Sequence, residues 1–144
     1  MITLLATVIA YLSTDADLRL EVDGRLASKH RFSGEGWEAP SKALTVQYTT
    51  GAIPDIDAGM ERSRLEARCW GPSQEEAERV YARLVRITDA LTHRVSVPLD
   101  SGETALLYCL VPDDSPQFDR DPDISVDFIR VFLTAACHRD PVAA

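Results

Sequence analysis

Positive charge is scarce in this sequence, and that scarcity disfavours one large class of partners. The 144 residues contain 15 Lys and Arg against 23 Asp and Glu, a formal net charge of −8. Only two of the cations are lysines, Lys29 and Lys42. Binding to nucleic-acid phosphates depends largely on Lys and Arg side chains that displace counterions. The composition therefore disfavours direct recognition of DNA or RNA.

Cysteine is also sparse, and its number and spacing are unlike those of a disulfide framework or a zinc site. Cys69, Cys109 and Cys137 lie far apart, each inside an apolar, strand-like run. A free Cys in such a run behaves as a small buried hydrophobe. We therefore predict reduced core thiols in a cytosolic protein. A chain of this length buries roughly 68–70% of its unfolded surface, so residues 1–144 are predicted to fold as one domain without disulfide or metal.

Long hydrophobic runs are absent. The most apolar segment, residues 2–13, has no Lys or Arg before it, no small-residue cleavage site after it, and too few residues to span a bilayer. Its apolar side chains recur at helical spacing. We predict a core helix here and no membrane partner.

Catalytic motifs are missing as well. The sequence contains no Gly-rich phosphate cradle, nucleophile elbow or Walker pattern. One acidic run has prolines between its carboxylates and lacks the Gly and Glu of a calcium loop, which favours a solvated loop over a metal site. This run comprises Asp113, Asp114, Asp119, Asp121 and Asp123.

A second acidic set loosely resembles a metal-dependent nuclease, although the Lys that such sites often use is missing. The set comprises Asp55, Asp57, Glu61 and Glu66. A small metal-dependent hydrolase or nuclease therefore stays open as an alternative. The main prediction is a protein that is not an enzyme and has no catalytic residue, no cofactor and no metal.

The patterns that are present predict an α+β fold. Strands are indicated by apolar alternation at 44–48 and 64–70, where Arg64, Glu66 and Arg68 occupy the polar face. A capping box at Ser73–Glu76 opens a helix that runs to about Thr92. Apolar runs at 105–111 and 124–137 predict two more strands, and the second changes phase near Phe128, which indicates a bulge or two buried faces.

The order of these elements is helix, strand, strand, helix, strand, strand. It predicts an antiparallel sheet of about four strands with two main helices packed on one face. The connecting loops are predicted at 28–42, 51–61 and 112–123.

Several large apolar side chains fall in these predicted loops, where no core of their own surrounds them. Exposed apolar side chains in clusters mark interaction sites. We predict that several of them become buried at contacts between subunits or with a partner. These interface candidates are Phe32, Trp37, Ile53, Ile56 and Phe118.

Several local segments of the sequence form a recognisable pattern together with the order of the elements. They are Ala10–Leu12 with Leu18–Leu20 and Gly24–Leu26, Leu44–Tyr48 ending at Thr50-Gly51, Arg62–Trp70 closing in Gly71, and the helix Glu75–Leu91. In this pattern, from about residue 4 to residue 135, the chain resembles the tail terminator proteins of long-tailed bacteriophages and phage-derived particles. The loops 28–42 and 112–123 depart from the family pattern.

The resemblance implies a homo-oligomeric ring, a hexamer, that caps the tail tube and joins it to the head connector. Its partners would be the tail tube protein and the head-tail connector or stopper protein, and it would reside in the virion tail or neck after synthesis in the host cytoplasm. The alternative within the same particle is a neck, connector or stopper subunit.

In such a ring DNA passes through the channel without specific binding. We therefore expect an acidic or neutral channel lining, with arginines engaged in ion pairs or turned outward.

Overall fold

The computed structural model describes residues 3–28, 41–49, 55–57, 59–122 and 126–138, with only the backbone described at 55–57. The helices are α1 (Leu4–Ser13), α2 (Ala16–Glu21) and α3 (Gln74–Ala90). The strands are β1 (Leu26–Ala27), β2 (Ala43–Tyr48), β3 (Asp55–Asp57), β4 (Met60–Gly71), β5 (Val95–Pro98), β6 (Thr104–Pro112), β7 (Gln117–Asp121) and β8 (Val126–His138).

The strands form one mixed sheet, so the prediction of about four antiparallel strands is wrong. Within the described residues the sheet has eight strands in the order β1-β2-β4-β8-β6-β5, with β3 paired to β4 and β7 paired to β8. The pair β1–β2 is parallel and the other pairs are antiparallel. Two of the extra strands, β3 and β7, pair with β4 and β8, which are 12 and 13 residues long and offer backbone groups to shorter neighbours. The other two, β1 and β5, pair with β2 and β6.

The long pair β4–β8 forms the centre of the sheet and explains the phase change near Phe128. Its register runs without a break from Met60 opposite His138 to Gly71 opposite Asp127. Phe128 and Ile129 are both buried, so this end of β8 has two covered faces rather than a bulge. The irregularity lies instead in β6, between Leu107 and Cys109.

The main core fills the space between the helices and one face of the sheet. Side chains from α1, α2 and α3 pack in it against alternate residues of the strands, such as Leu65 of β4 and Leu133 of β8. A smaller cluster on the opposite face joins Trp70 to Phe128, whose ring centroids lie 4.7 Å apart, and includes Ala43 and Val126. The rest of that opposite face carries charged side chains together with apolar ones such as Phe132, and it contains the first candidate surface.

The N-terminus of α3 is capped largely as the sequence predicts. The Ser73 hydroxyl accepts from the backbone N–H of Glu76 at 3.3 Å. The Glu76 carboxylate accepts from that same hydroxyl at 3.3 Å, whereas a capping box predicts a bond from the Ser73 backbone amide.

Candidate interaction surfaces

The sheet face turned away from the helices has an ion-paired centre. Successive side chains of a strand point to opposite faces, so Arg64, Glu66 and Arg68 of β4 share this face with Arg130 of β8. Glu66 lies between two guanidinium groups, with Arg68 Nε 3.4 Å from one carboxylate oxygen and Arg130 Nε 2.8 Å from the other. Neither Nε–H is aligned for a hydrogen bond, so attraction between opposite charges dominates these contacts. We call this surface the charged sheet face.

A second group of ion pairs borders this centre. Asp113 lies 3.2 Å from Arg64 Nε and also accepts from the Thr134 hydroxyl at 2.7 Å. Asp114 lies 3.5 Å from Arg64, and Asp119 lies 3.8 Å from Arg130. Three arginines of the charged sheet face therefore contact four carboxylates, and each arginine has an acidic partner within the same chain.

Aromatic rings hold the same guanidinium groups from a second direction. The Arg64 guanidinium lies 4.0 Å from the centroid of the Phe132 ring, and that of Arg68 lies 4.9 Å from the Phe128 ring. A guanidinium over an aromatic face is attracted by the ring quadrupole. The arginines are thus fixed by both carboxylates and rings, which leaves little positive charge to attract a phosphate backbone.

Two members of the acidic set that loosely resembles a nuclease, Glu61 and Glu66, lie on opposite faces of the sheet. Glu61 lies on the helix-facing side of β4, where it is 6% exposed, and Glu66 lies on the charged sheet face. The sheet therefore separates the two carboxylates. The side chains of Asp55 and Asp57 lie outside the described residues. Among the residues that the structure describes, no group of three or more His, Cys, Asp or Glu side chains could hold a metal ion.

The predicted interface residues fall in different parts of the chain. Phe118 is in β7, an edge strand inside the predicted loop 112–123, and its side chain is 55% exposed. Ile56 is in β3, where the side chain is not described, and Phe32, Trp37 and Ile53 lie outside the described residues. Their burial in an assembly therefore stays a prediction.

Two exposed apolar residues escaped the sequence reasoning. Leu20 of α2 is 83% exposed and Val111 of β6 is 52% exposed. The sequence could have indicated this exposure through spacing. Leu20 is two residues from buried Leu18 on a helix, and Val111 follows buried Leu110 in a strand. In each case the neighbour occupies the core-facing position, so the residue itself points elsewhere.

None of the described helices combines the length and apolar composition that crossing a membrane requires.

Comparison with known proteins gives a structural match and no sequence match. No protein-family model matches the chain, and no curated protein sequence matches it. The fold is similar to that of a chain in a solved structure described as "Virion of native gene transfer agent (GTA) particle". The TM-score is 0.61, the sequence identity is 15%, and the alignment covers 94% of each chain. At this identity the likeness establishes a shared fold.

Proposed function

We propose that this chain is a structural virion protein, a ring-forming tail terminator that caps the tail tube and joins it to the head connector. The observation that carries the proposal is the fold shared over 94% of both chains with a chain of a gene transfer agent virion. The match extends over nearly the whole chain, so the entire domain has the architecture of a protein found in such a particle. The more specific assignment as a tail terminator rests in addition on the resemblance of the sequence pattern to the tail terminator family.

The charged sheet face supports a structural role. Its arginines pair with carboxylates of the same chain, so DNA could pass along such a surface without the counterion release that causes tight binding. The separation of Glu61 and Glu66 by the sheet also weakens the hydrolase or nuclease alternative. We therefore propose a protein whose function rests on shape and contacts rather than catalysis.

The test is assembly with the tail tube protein of the same particle. Native mass spectrometry of the purified chain is expected to give a closed ring, a hexamer, alone or with tube protein. Electron micrographs of tubes polymerised with an excess of the chain are expected to show shorter tubes with a ring at one end. A chain that stays monomeric with tube protein, and leaves tube length unchanged, contradicts the proposal.

A pull-down separates the terminator from the neck alternative. The tagged chain is offered tube protein and portal-side protein in separate reactions, under the same salt and concentration. A terminator is expected to capture tube protein. Capture of the portal-side protein alone would instead assign the chain as a connector or stopper subunit.

A further inference from the structure

A groove between α2 and α3 is lined by a row of arginines. Arg79, Arg83 and Arg86 follow one another along α3 at helical spacing, and the groove, about 360 Å³ in volume, also contacts Glu21 and Ala82. The side chains of Arg79 and Arg86 are 57% and 70% exposed. We call this surface the arginine groove.

The arginines of the groove are held loosely, and its lining carboxylate, Glu21, is paired with Lys42 at 3.2 Å. Arg83 and Arg86 both lie 4.0 Å from one carboxylate, that of Asp17, and Arg79 lies 3.1 Å from the highly exposed Glu75. Exposed pairs of this kind contribute little and exchange readily with water. A chain with net charge −8 has therefore concentrated three of its arginines on one accessible helix face.

The opposite kind of surface lies at β7. This strand pairs with β8 in the described part of the chain, and its first four residues are exposed. Asp114 and Asp119 have side chains that are each 54% exposed, and their contacts with Arg64 and Arg130 are long, at 3.5 and 3.8 Å. Phe118 is 55% exposed and points to the other face of this strand, because it lies opposite Ile129 whereas Asp119 lies opposite Phe128. Arg120, the cation of this strand, is paired with Asp127 at 2.9 Å. We call Asp114 and Gln117–Asp121 the acidic edge.

The two surfaces lie on different sides of the sheet, because the arginine groove belongs to the helix layer, whereas Asp114 and Asp119 lie beside Arg64 and Arg130 on the charged sheet face. The arginine groove adjoins the β1–β2 side of the sheet, because its lining residue Glu21 forms an ion pair at 3.2 Å with Lys42, which directly precedes β2. The acidic edge belongs to a strand paired with β8, and β8 is separated from β2 by β4. Complementary patches on different sides produce head-to-tail contacts, which form a ring when the rotation closes.

We propose that the acidic edge of one copy of this chain docks in the arginine groove of the next. This inference rests on the proposed ring and adds the contact that closes it. Arg79 to Arg86 spans about 11 Å of helix, which matches about three of the five residues of β7, since the whole strand spans about 17 Å. Complementary charge supplies orientation and partner selection.

Charge reversal on each side tests the contact, and mixing the two variants sharpens the test. The groove variant combines Arg79→Glu with Arg86→Glu, and the edge variant combines Asp114→Lys with Asp119→Lys. Each alone is expected to weaken self-association roughly tenfold or more, because like charges then face each other. A one-to-one mixture is expected to assemble again with alternating subunits, since every contact in that ring joins opposite charges.

The control variant combines Glu78→Lys with Asp89→Lys, which matches the charge change of the edge variant at exposed α3 residues that do not line the groove. It is expected to assemble like the unmodified chain. Sedimentation velocity with tube protein present and absent measures assembly, and circular dichroism checks the fold of each variant. Raising the salt to 1 M is expected to weaken the unmodified ring, because the screening length falls to about 3 Å.

The outcomes separate this contact from the ring itself. If the unmodified chain forms rings and both variants form them equally well, the docking proposal is overturned and the ring stands. If both variants fail and their mixture also fails, the head-to-tail pairing of these two surfaces is wrong. If the unmodified chain never assembles, even with tube protein, the proposed ring-forming function is contradicted, and the docking contact that rests on it is contradicted as well.

Discussion

At the N-terminus of α1, three side chains bind the backbone N–H groups that a helix leaves without partners. Glu61 accepts from Leu4 N at 3.1 Å, the Tyr48 hydroxyl accepts from Leu5 N at 3.3 Å, and Thr3 accepts from Ala6 N at 3.2 Å. The second oxygen of Glu61 accepts from the Tyr48 hydroxyl at 3.1 Å. A buried carboxylate thus connects β4 to the positive end of the helix dipole.

Truncation of this carboxylate is predicted to destabilise the fold. Glu61→Ala is expected to lower the free energy of unfolding by about 1–3 kcal/mol, because the buried Leu4 N–H and Tyr48 hydroxyl lose their acceptor. Glu61→Gln keeps one acceptor oxygen and is expected to lose less. Urea denaturation measures both, with Glu78→Ala as an exposed control expected within about 0.5 kcal/mol of the parent. Equal stability of all four proteins would show that Glu61 does not hold α1.

Because the thiol of Cys69 is buried, the free energy of unfolding is expected to change with pH in the alkaline range. Burial raises the pKa of Cys69 well above its ordinary value, so the folded state keeps the proton while the unfolded state loses it near pH 8.5. The stabilisation is complete below that pH and is lost as the pH rises above it. Tyr48 and Cys109, whose pKa values burial also raises, add to the same trend.

Replacing this thiol is therefore predicted to flatten the pH profile. The stability difference between the parent and Cys69→Ala is expected to shrink by up to about 1.4 kcal/mol per pH unit above 8.5. Urea denaturation at pH 7.5, 8.5, 9.5 and 10.5 measures it, and Tyr48 and Cys109 cancel because both proteins contain them. Parallel curves over this range would contradict the assignment.

Between elements, the junction of β4 and α3 requires a residue without a side chain. A Cβ at Gly71 would lie 2.4 Å from the backbone N of Ala77 and 2.9 Å from the carbonyl carbon of Glu76. These are backbone atoms of the first turn of α3, which cannot rotate away. The close approach lets the helix pack directly on the strand that precedes it.

Gly71→Ala is predicted to destabilise the fold more than Gly24→Ala does. Overpacking against backbone is expected to cost about 3 kcal/mol. Gly24→Ala is the comparison, since Gly24 has φ +76° but nothing within 4 Å of an added Cβ, and a left-handed Ala costs about 1 kcal/mol. Thermal melts rank the two variants. A Gly71→Ala protein that melts with or above Gly24→Ala would show that α3 shifts freely.

Elements with a strong pattern of their own were predictable from the sequence, and elements that depend on a neighbour were not. In β4 buried and exposed residues alternate, and in α3 the apolar residues recur on one helix face, because each element packs against the core on one side. By contrast, the residues of β7 show no buried position, so no alternation marks the strand, and its structure comes from pairing with β8. The two-residue β1 likewise depends on β2.

The candidate surface follows the same division. Alternation alone places Arg64, Glu66 and Arg68 on one polar face and offers Glu66 as a partner for Arg68. The contact of Glu66 with Arg130 needs the register of β4 on β8, and Asp113 reaches Arg64 because β6 pairs with β8. Local periodicity does not determine which residues of two strands that are distant in sequence lie opposite each other.

Over the whole molecule, the arrangement of charge matters more than its total. The chain carries −8, yet Arg64, Arg68 and Arg130 lie together on one face, which would attract phosphate if their partners were removed. Asp113 and Asp119 are two of those partners and have partly exposed side chains. Neutralising them leaves three arginines with Glu66 and Asp114, and the face changes from a net negative to a net positive group.

This change is predicted to create DNA binding where the parent has none. In 150 mM salt the parent is expected to bind duplex DNA more weakly than about 10⁻⁴ M, beyond the usual range of non-specific binding. Asp113→Asn with Asp119→Asn is expected to bind detectably, with an affinity that falls steeply as salt rises, because arginines released from carboxylates displace counterions from phosphate. Glu78→Gln with Asp89→Asn removes the same charge from α3 and is expected to bind no better than the parent.

Fluorescence anisotropy across a salt series distinguishes the cases. Equal gains in both variants would assign the weak binding of the parent to net charge alone. Tight binding by the parent would contradict a channel through which DNA slides, because arginines held by their own carboxylates are expected not to displace counterions from phosphate.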